Sequence, residues 1–240
     1  MGLAMTVENQ LEFLRLLQLA DTALPIGATA QSFGLETLVA EGLLSVPDLS
    51  VFLQDYVATV GKQEGLFCRA AFRLSLVPAQ TEFEEKWLNL NMRCSALKPA
   101  RESRKAGGIL GKRLLQLVLA LEENDRLASA LGTALKQDAD THHATAFGLV
   151  GGVLHFNEEI TVLAYLQQNL SGLVSACQRL LPLGQKQATQ LLWALKPALL
   201  SSAQQSRGAD LEGEAGYIFA HLIDMAAIRH SQLATRLFIS

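Results

Sequence analysis

The chain has 240 residues, half of them hydrophobic and 18% charged, and its 20 basic and 23 acidic side chains leave a net charge of −3. That balance excludes a disordered chain and gives no global electrostatic basis for holding nucleic acid or an anionic membrane surface. Leu (46) and Ala (32) far outnumber Val and Ile (19 together), which excludes an all-β fold and favours an all-α one. The length fits a single domain over 1–240, large enough to bury a core without a metal or disulfide staple. The three cysteines, Cys68, Cys94 and Cys177, are widely spaced with no CxxC. A disulfide scaffold or cysteine zinc site is therefore not expected, and a reducing cytoplasm is. Glu8 and Glu12 precede any basic residue, which is not the pattern of a secretory signal. Met1-Gly2 with Thr6 matches the loose myristoylation pattern, and we read it as a chance match without a second anchoring signal.

In chain order, helical spacing dominates. Leu11, Leu14, Leu17 and Leu19 give a first amphipathic run, closed by the Leu24-Pro25-Ile26-Gly27 turn. A second runs over 28–41 to Gly42. Pro47-Asp48 opens a third, to about Gly61, and a fourth covers 63–76 before Pro78. Thr81 with Glu84 resembles a capping box for a fifth over 82–97, and Pro99 suits the first turn of a sixth reaching 121. The seventh and eighth cover 124–137 and 144–156. The segment 160–181 carries Leu163, Leu166, Leu170, Leu173, Cys177 and Leu180 on a heptad seam, with Arg179 as its only charge beyond position 160. A helix so poor in charge is central or covered by a partner. A tenth covers 185–200, bent or ended near Pro197. Residues 201–216 read as a loop, and a last helix starts near Glu214. The expectation is an all-α single-domain bundle of about ten helices with no sheet.

Several groupings are candidates for chemistry. Asp138, Asp140, His142 and His143 form the best metal candidate. On a helix Asp138 and His142 would share a face, and carboxylate with imidazole suits zinc, iron, manganese or nickel. They would serve an all-helical metal-dependent hydrolase; the competing reading is a polar turn between helices. Gly107-Gly108 to Gly111-Lys112-Arg113 glances at a phosphate loop, but Ala106 and Arg113 break the pattern. Gly148 and Gly152 form a GxxxG that permits close helix packing, within the fold or across a dimer. Arg101, Arg104, Lys105, Lys112 and Arg113 make a basic helix, either a solvated face or a match for an acidic partner. The C-terminal Leu237-Phe238-Ile239 is apolar where chains usually fray, so it packs home or docks into a partner.

Four separated stretches resemble the urease accessory protein F (UreF) family. They are Leu16 to Asp21 with Leu24 to Ala28 and Ser32-Phe33-Gly34-Leu35-Glu36; Arg101-Glu102-Ser103 with Gly111 to Leu115; Arg179 to Gln185; and Arg229-His230 with Arg236-Leu237-Phe238 and Ser240. In order, they cover nearly the whole chain. Thr29 and Gln31 depart from the family's aromatic and His, and Ser231 and Ala234 from its Glu and Tyr. The resemblance implies an all-helical, homodimeric, non-enzymatic cytoplasmic maturation factor that holds no permanent cofactor. Its implied partners are a D/H-type urease accessory protein, a nickel-binding GTPase (the G-type accessory protein) and apo-urease, with nickel handled by the complex. The implied role is scaffold and GTPase modulator. The residues carried over as partner-binding are Phe33, Gly34, Glu36, Arg101, Glu102, Arg179, Gln185, Arg229, His230, Arg236, Leu237 and Phe238. On this reading 229–240 is a docking segment for the D/H-type partner; the alternative is that it folds back on its own helices.

Overall fold

A computed structural model describes residues 7–207 and 221–239. The described residues hold twelve α-helices and no β-strand: α1 (Val7–Leu19), α2 (Leu35–Ala40), α3 (Leu49–Tyr56), α4 (Lys62–Leu74), α5 (Gln80–Ala96), α6 (Arg101–Leu121), α7 (Asp125–Lys136), α8 (His143–Val153), α9 (Glu158–Leu180), α10 (Gln185–Ala194), α11 (Lys196–Gln205) and α12 (His221–Arg229). The all-α class expected from composition is what forms.

Helix ends follow local chemistry. The Asn124 side chain accepts the N–H groups of Arg126 and Leu127 to start α7, and Asn157 accepts that of Ile160 to start α9. Other boundaries moved. The helix expected over 28–41 is a short 3₁₀ turn and then α2, because Phe33 and Gly34 take positive φ (51° and 94°) between them. Gly34 is held there by proximity: a Cβ would lie 2.8 Å from the Ile223 carbonyl oxygen of α12. The break expected at Gly61 is absent, since a π-helical turn over Val57–Gly61 joins α3 to α4. The Thr81 capping box is absent too. α5 begins two residues earlier than expected, at Gln80, and Glu84 instead accepts hydrogen bonds from Gln80 and Ser129. The expected break near Pro197 is real, with Pro197 in the first turn of α11. That helix extends to Gln205, into the span expected to be loop. The expected helix start near Glu214 lies outside the described residues.

The centre of the fold is α8, buried from Ala144 through Gly152 and packed on α4, α6 and α9. Its glycines explain how. A Cβ on Gly148 would fall 1.9 Å from the Cys68 carbonyl oxygen, and one on Gly152 would meet Ser75 Oγ at 2.2 Å. The GxxxG is spent inside the chain, against α4. Helix α9 buries Leu166, Leu170 and Leu173, as its seam predicts. Its first turn is tied by Arg69, a buried cation of α4, to Glu158 (2.6 Å) and Glu159 (2.7 Å). Arg69 also reaches the Ala203 carbonyl (3.0 Å) and Ser206 Oγ (3.3 Å) after α11, so three elements share one guanidinium.

Candidate functional site

The sequence-predicted residues Glu36, Glu102, Arg179, His230, Arg236 and Phe238 converge on one polar hub. Glu36 sits in the first turn of α2 and Glu102 in the first turn of α6. Between them lies the fully buried ring of His230, in the 3₁₀ turn that follows α12, with Nδ1 2.7 Å from Glu102 Oε2 and Nε2 2.9 Å from Glu36 Oε2. An ionised carboxylate only accepts, so each ring nitrogen that bears a proton donates to the carboxylate it faces. Arg236 adds a guanidinium at 3.3 Å from Glu102 Oε1.

Glu36 then takes hold of the C-terminal segment itself. Its carboxylate accepts the backbone N–H of Leu237 (2.5 Å) and of Phe238 (3.1 Å). Burial alone would raise the Glu36 carboxyl. The Leu237 N–H, the His230 ring and the Phe238 N–H outweigh it and hold the group below the usual carboxylate range. The Phe238 ring, only 4% exposed, lies 4.1 Å under the guanidinium of Arg179, which also donates to the Thr29 carbonyl at 2.6 Å. The Ile239 N–H donates to the Ala30 carbonyl (2.9 Å). Arg229 stays outside the hub, in a forked pair with Glu41 at 2.8 and 2.6 Å.

The segment expected to dock a partner therefore lies against α2, α6 and α9 of its own chain. It does so incompletely: Leu237 is 56% and Ile239 68% exposed. Phe33 and Gly34 shape the turn before Glu36. Arg101 opens α6 and Gln185 opens α10; both are exposed and neither joins the hub. Of the departures, Thr29 contributes its backbone carbonyl, Gln31 is buried, and Ser231 and Ala234 are exposed. Glu41, across from Arg229, is a charged hub neighbour that the sequence reading missed. Nothing local marks it, since its partner lies 188 residues on.

The metal candidate does not assemble. Asp138 is not helical but left-handed (φ 48°) in the turn after α7, so it shares no helix face with His142. His142 instead occupies the position just before α8: its Nε2 lies 2.7 Å from Ser95 Oγ, the Ser95 hydroxyl donates to Asp140 Oδ2 at 3.2 Å, and the His142 backbone N–H donates to Asn91 Oδ1 at 2.9 Å. His143 packs edge-on against Tyr165, with ring centroids 5.3 Å apart. Among the described residues no three His, Cys, Asp or Glu side chains gather as a metal site needs, so the hydrolase reading loses its site. Both histidines are held neutral. Burial, then nearby Lys98, pushes His142 down to about 3, and burial pushes His143 down to about 4. They line a partly open cavity of about 130 Å³ together with Glu64, which pairs with Lys98 and accepts the Tyr165 hydroxyl at 2.5 Å.

Fold and hub together define an all-α protein whose C-terminal segment closes over carboxylates from its first and middle thirds. Comparison with known proteins gives the class a family. The UreF family model matches residues 45–196. A urease accessory protein UreF of Lachnoclostridium phytofermentans is 32% identical, over 95% of this chain and 98% of its own. Those of Microcystis aeruginosa and Nostoc sp. are 31% and 30% identical, over 97% and 95% of this chain and 99% and 96% of theirs. The chain belongs to the UreF family.

Proposed function

We propose that this chain is a urease accessory protein, not an enzyme, that works as a scaffold in maturation of the urease metallocentre. The observation that carries the reading is family membership along almost the entire chain, not a short motif. In this role it joins a D/H-type accessory protein and a nickel-binding GTPase, modulates that GTPase, and helps deliver nickel to apo-urease. Nickel is the complex's cargo, and this chain holds no cofactor of its own. It acts in the cytoplasm as one domain and as a homodimer. No helix among the described residues is long and apolar enough to cross a membrane. The hub supports a docking role for 229–240, because it presents Leu237 and Ile239 outward while Phe238 anchors the segment. Helix α1 supplies a second unpartnered apolar face with Val7, Leu11, Phe13, Leu14 and Leu17 all exposed. Since the α8 glycines are occupied internally, a dimer uses another face. Co-expression with the D/H-type and G-type proteins, followed by size-exclusion chromatography, tests the reading. A common peak is expected; elution of this chain alone overturns it.

A further inference from the structure

Beside the hub runs an open groove of about 630 Å³ between the first half of α6 and the end of α12. Its floor is apolar: Ala106 and Ile109 from α6, Ala227 and Ile228 from α12, and Ile239 from the C-terminal segment. Three of these are unusually exposed for isoleucine, at 46% for Ile109, 43% for Ile228 and 68% for Ile239. One rim carries Arg101 and Lys105, and Lys112 continues the same exposed face of α6. None of the three has an ion pair or hydrogen-bond partner for its side chain within the described residues.

The neighbouring charges are already committed. Arg104 donates to the Lys98 and Pro99 carbonyls at 2.5 and 2.9 Å, and Arg236 is paired with Glu102. Arg229 is paired with Glu41. Glu102, the acidic group lining the groove, is taken by His230 and Arg236. The free charge at the groove is therefore positive, in a chain whose net charge is −3. Arg101, Lys105 and Ile109 stand four residues apart, so two cations and an apolar contact repeat along one helical line. An occupant matched to that line has an apolar ridge for the floor and carboxylates one turn apart for the rim.

We propose that this groove receives an amphipathic helix with an acidic flank, presented by a protein partner. The proposal rests on the accessory-protein reading for the existence of such a partner and adds where and by what chemistry it docks. The rim cations steer and orient the incoming helix, and the three isoleucines supply the apolar contact. Because Ile239 is held in place by the hub, the groove is complete only when the C-terminal segment is closed.

The test uses the full chain and the purified D/H-type accessory protein as probe, with binding measured by titration. The Arg101→Glu/Lys105→Glu double variant alters exposed side chains without ion pairs, so its circular dichroism and Tm stay unchanged. Its affinity is expected to fall at least about tenfold. Raising salt from about 0.05 to about 0.5 M weakens wild-type binding and affects the double variant much less. Ile109→Ser, which leaves charge intact, also weakens binding, whereas Lys136→Glu on α7 does not. If the wild type binds and both groove variants bind equally well, the groove is wrong and the accessory reading stands. If the wild type does not bind the probe, both fall. If the variants bind the probe normally but lose self-association by light scattering, the occupant is a second copy of this chain and the proposal is overturned.

Discussion

Glu36 and Phe238 are 202 residues apart in sequence, yet the Phe238 backbone N–H donates to Glu36 Oε2 at 3.1 Å. The same carboxylate takes the Leu237 N–H and the His230 ring. One side chain thus fixes both the backbone path of the C-terminal segment and the orientation of the ring beneath it.

Glu36→Gln keeps the shape and removes the charge, which weakens charge-assisted bonds to two N–H groups and one ring. A loss of about 2 kcal/mol is expected, read as a lower midpoint in urea with an unchanged slope. Faster proteolysis within 230–239 would accompany it. A variant as stable as wild type would mean that the carboxylate does not hold the segment.

Deletion of 229–240 removes buried His230 and Phe238 and leaves Glu36 and Glu102 without their partners. The truncated chain should melt several degrees lower, in contrast to a segment that only docks elsewhere. An unchanged Tm would place the segment outside the stable fold.

Acidification tests the buried histidines. Their folded values, about 3 for His142 and about 4 for His143, lie below the ordinary 6.5. The unfolded chain therefore binds more protons once pH drops below 6.5. Stability is full above that value and falls by at most about 1.4 kcal/mol per pH unit per histidine until the folded values are reached. Glu36 and Glu64, held below 4.5, add to the loss only at still lower pH. Urea denaturation at stepped pH should show the decline beginning near 6.5. In His143→Phe the slope between 6.5 and 4.5 should be roughly halved.

Gly148→Leu places a side chain where a first carbon already lies 1.9 Å from the Cys68 carbonyl oxygen. Separation of α8 from α4 is required, and the variant should be insoluble or lose several kcal/mol. Leu170→Ala, at a fully packed position of α9, should cost about 2–5 kcal/mol without affecting solubility. A soluble, normally stable Gly148→Leu would free those glycines for a contact between copies.

The helical class and the seam of α9 were legible because period and composition are local. The heptad leucines 166, 170 and 173 are buried as their spacing requires. The intervals that failed are those where a distant segment overrides the local pattern. Residues 28–41 are helical in spacing, but α12 approaches Gly34 so closely that the chain turns there first. The Asp138 and His142 face depended on a helix continuing past Lys136, and a left-handed Asp138 ends it. Family resemblance named Glu36, Glu102, His230 and Phe238, but no spacing joins positions about 130 to 200 residues apart; only the folded chain shows that they are one group.

The hub also dates itself during synthesis. At about 5–20 residues per second, residue 238 emerges about 10–40 s after residue 36. Until residue 230 is made, the two carboxylates have no imidazole to share. The hub is therefore a late-closing feature of the chain: its two carboxylates are synthesised long before the ring and the backbone N–H groups that they hold.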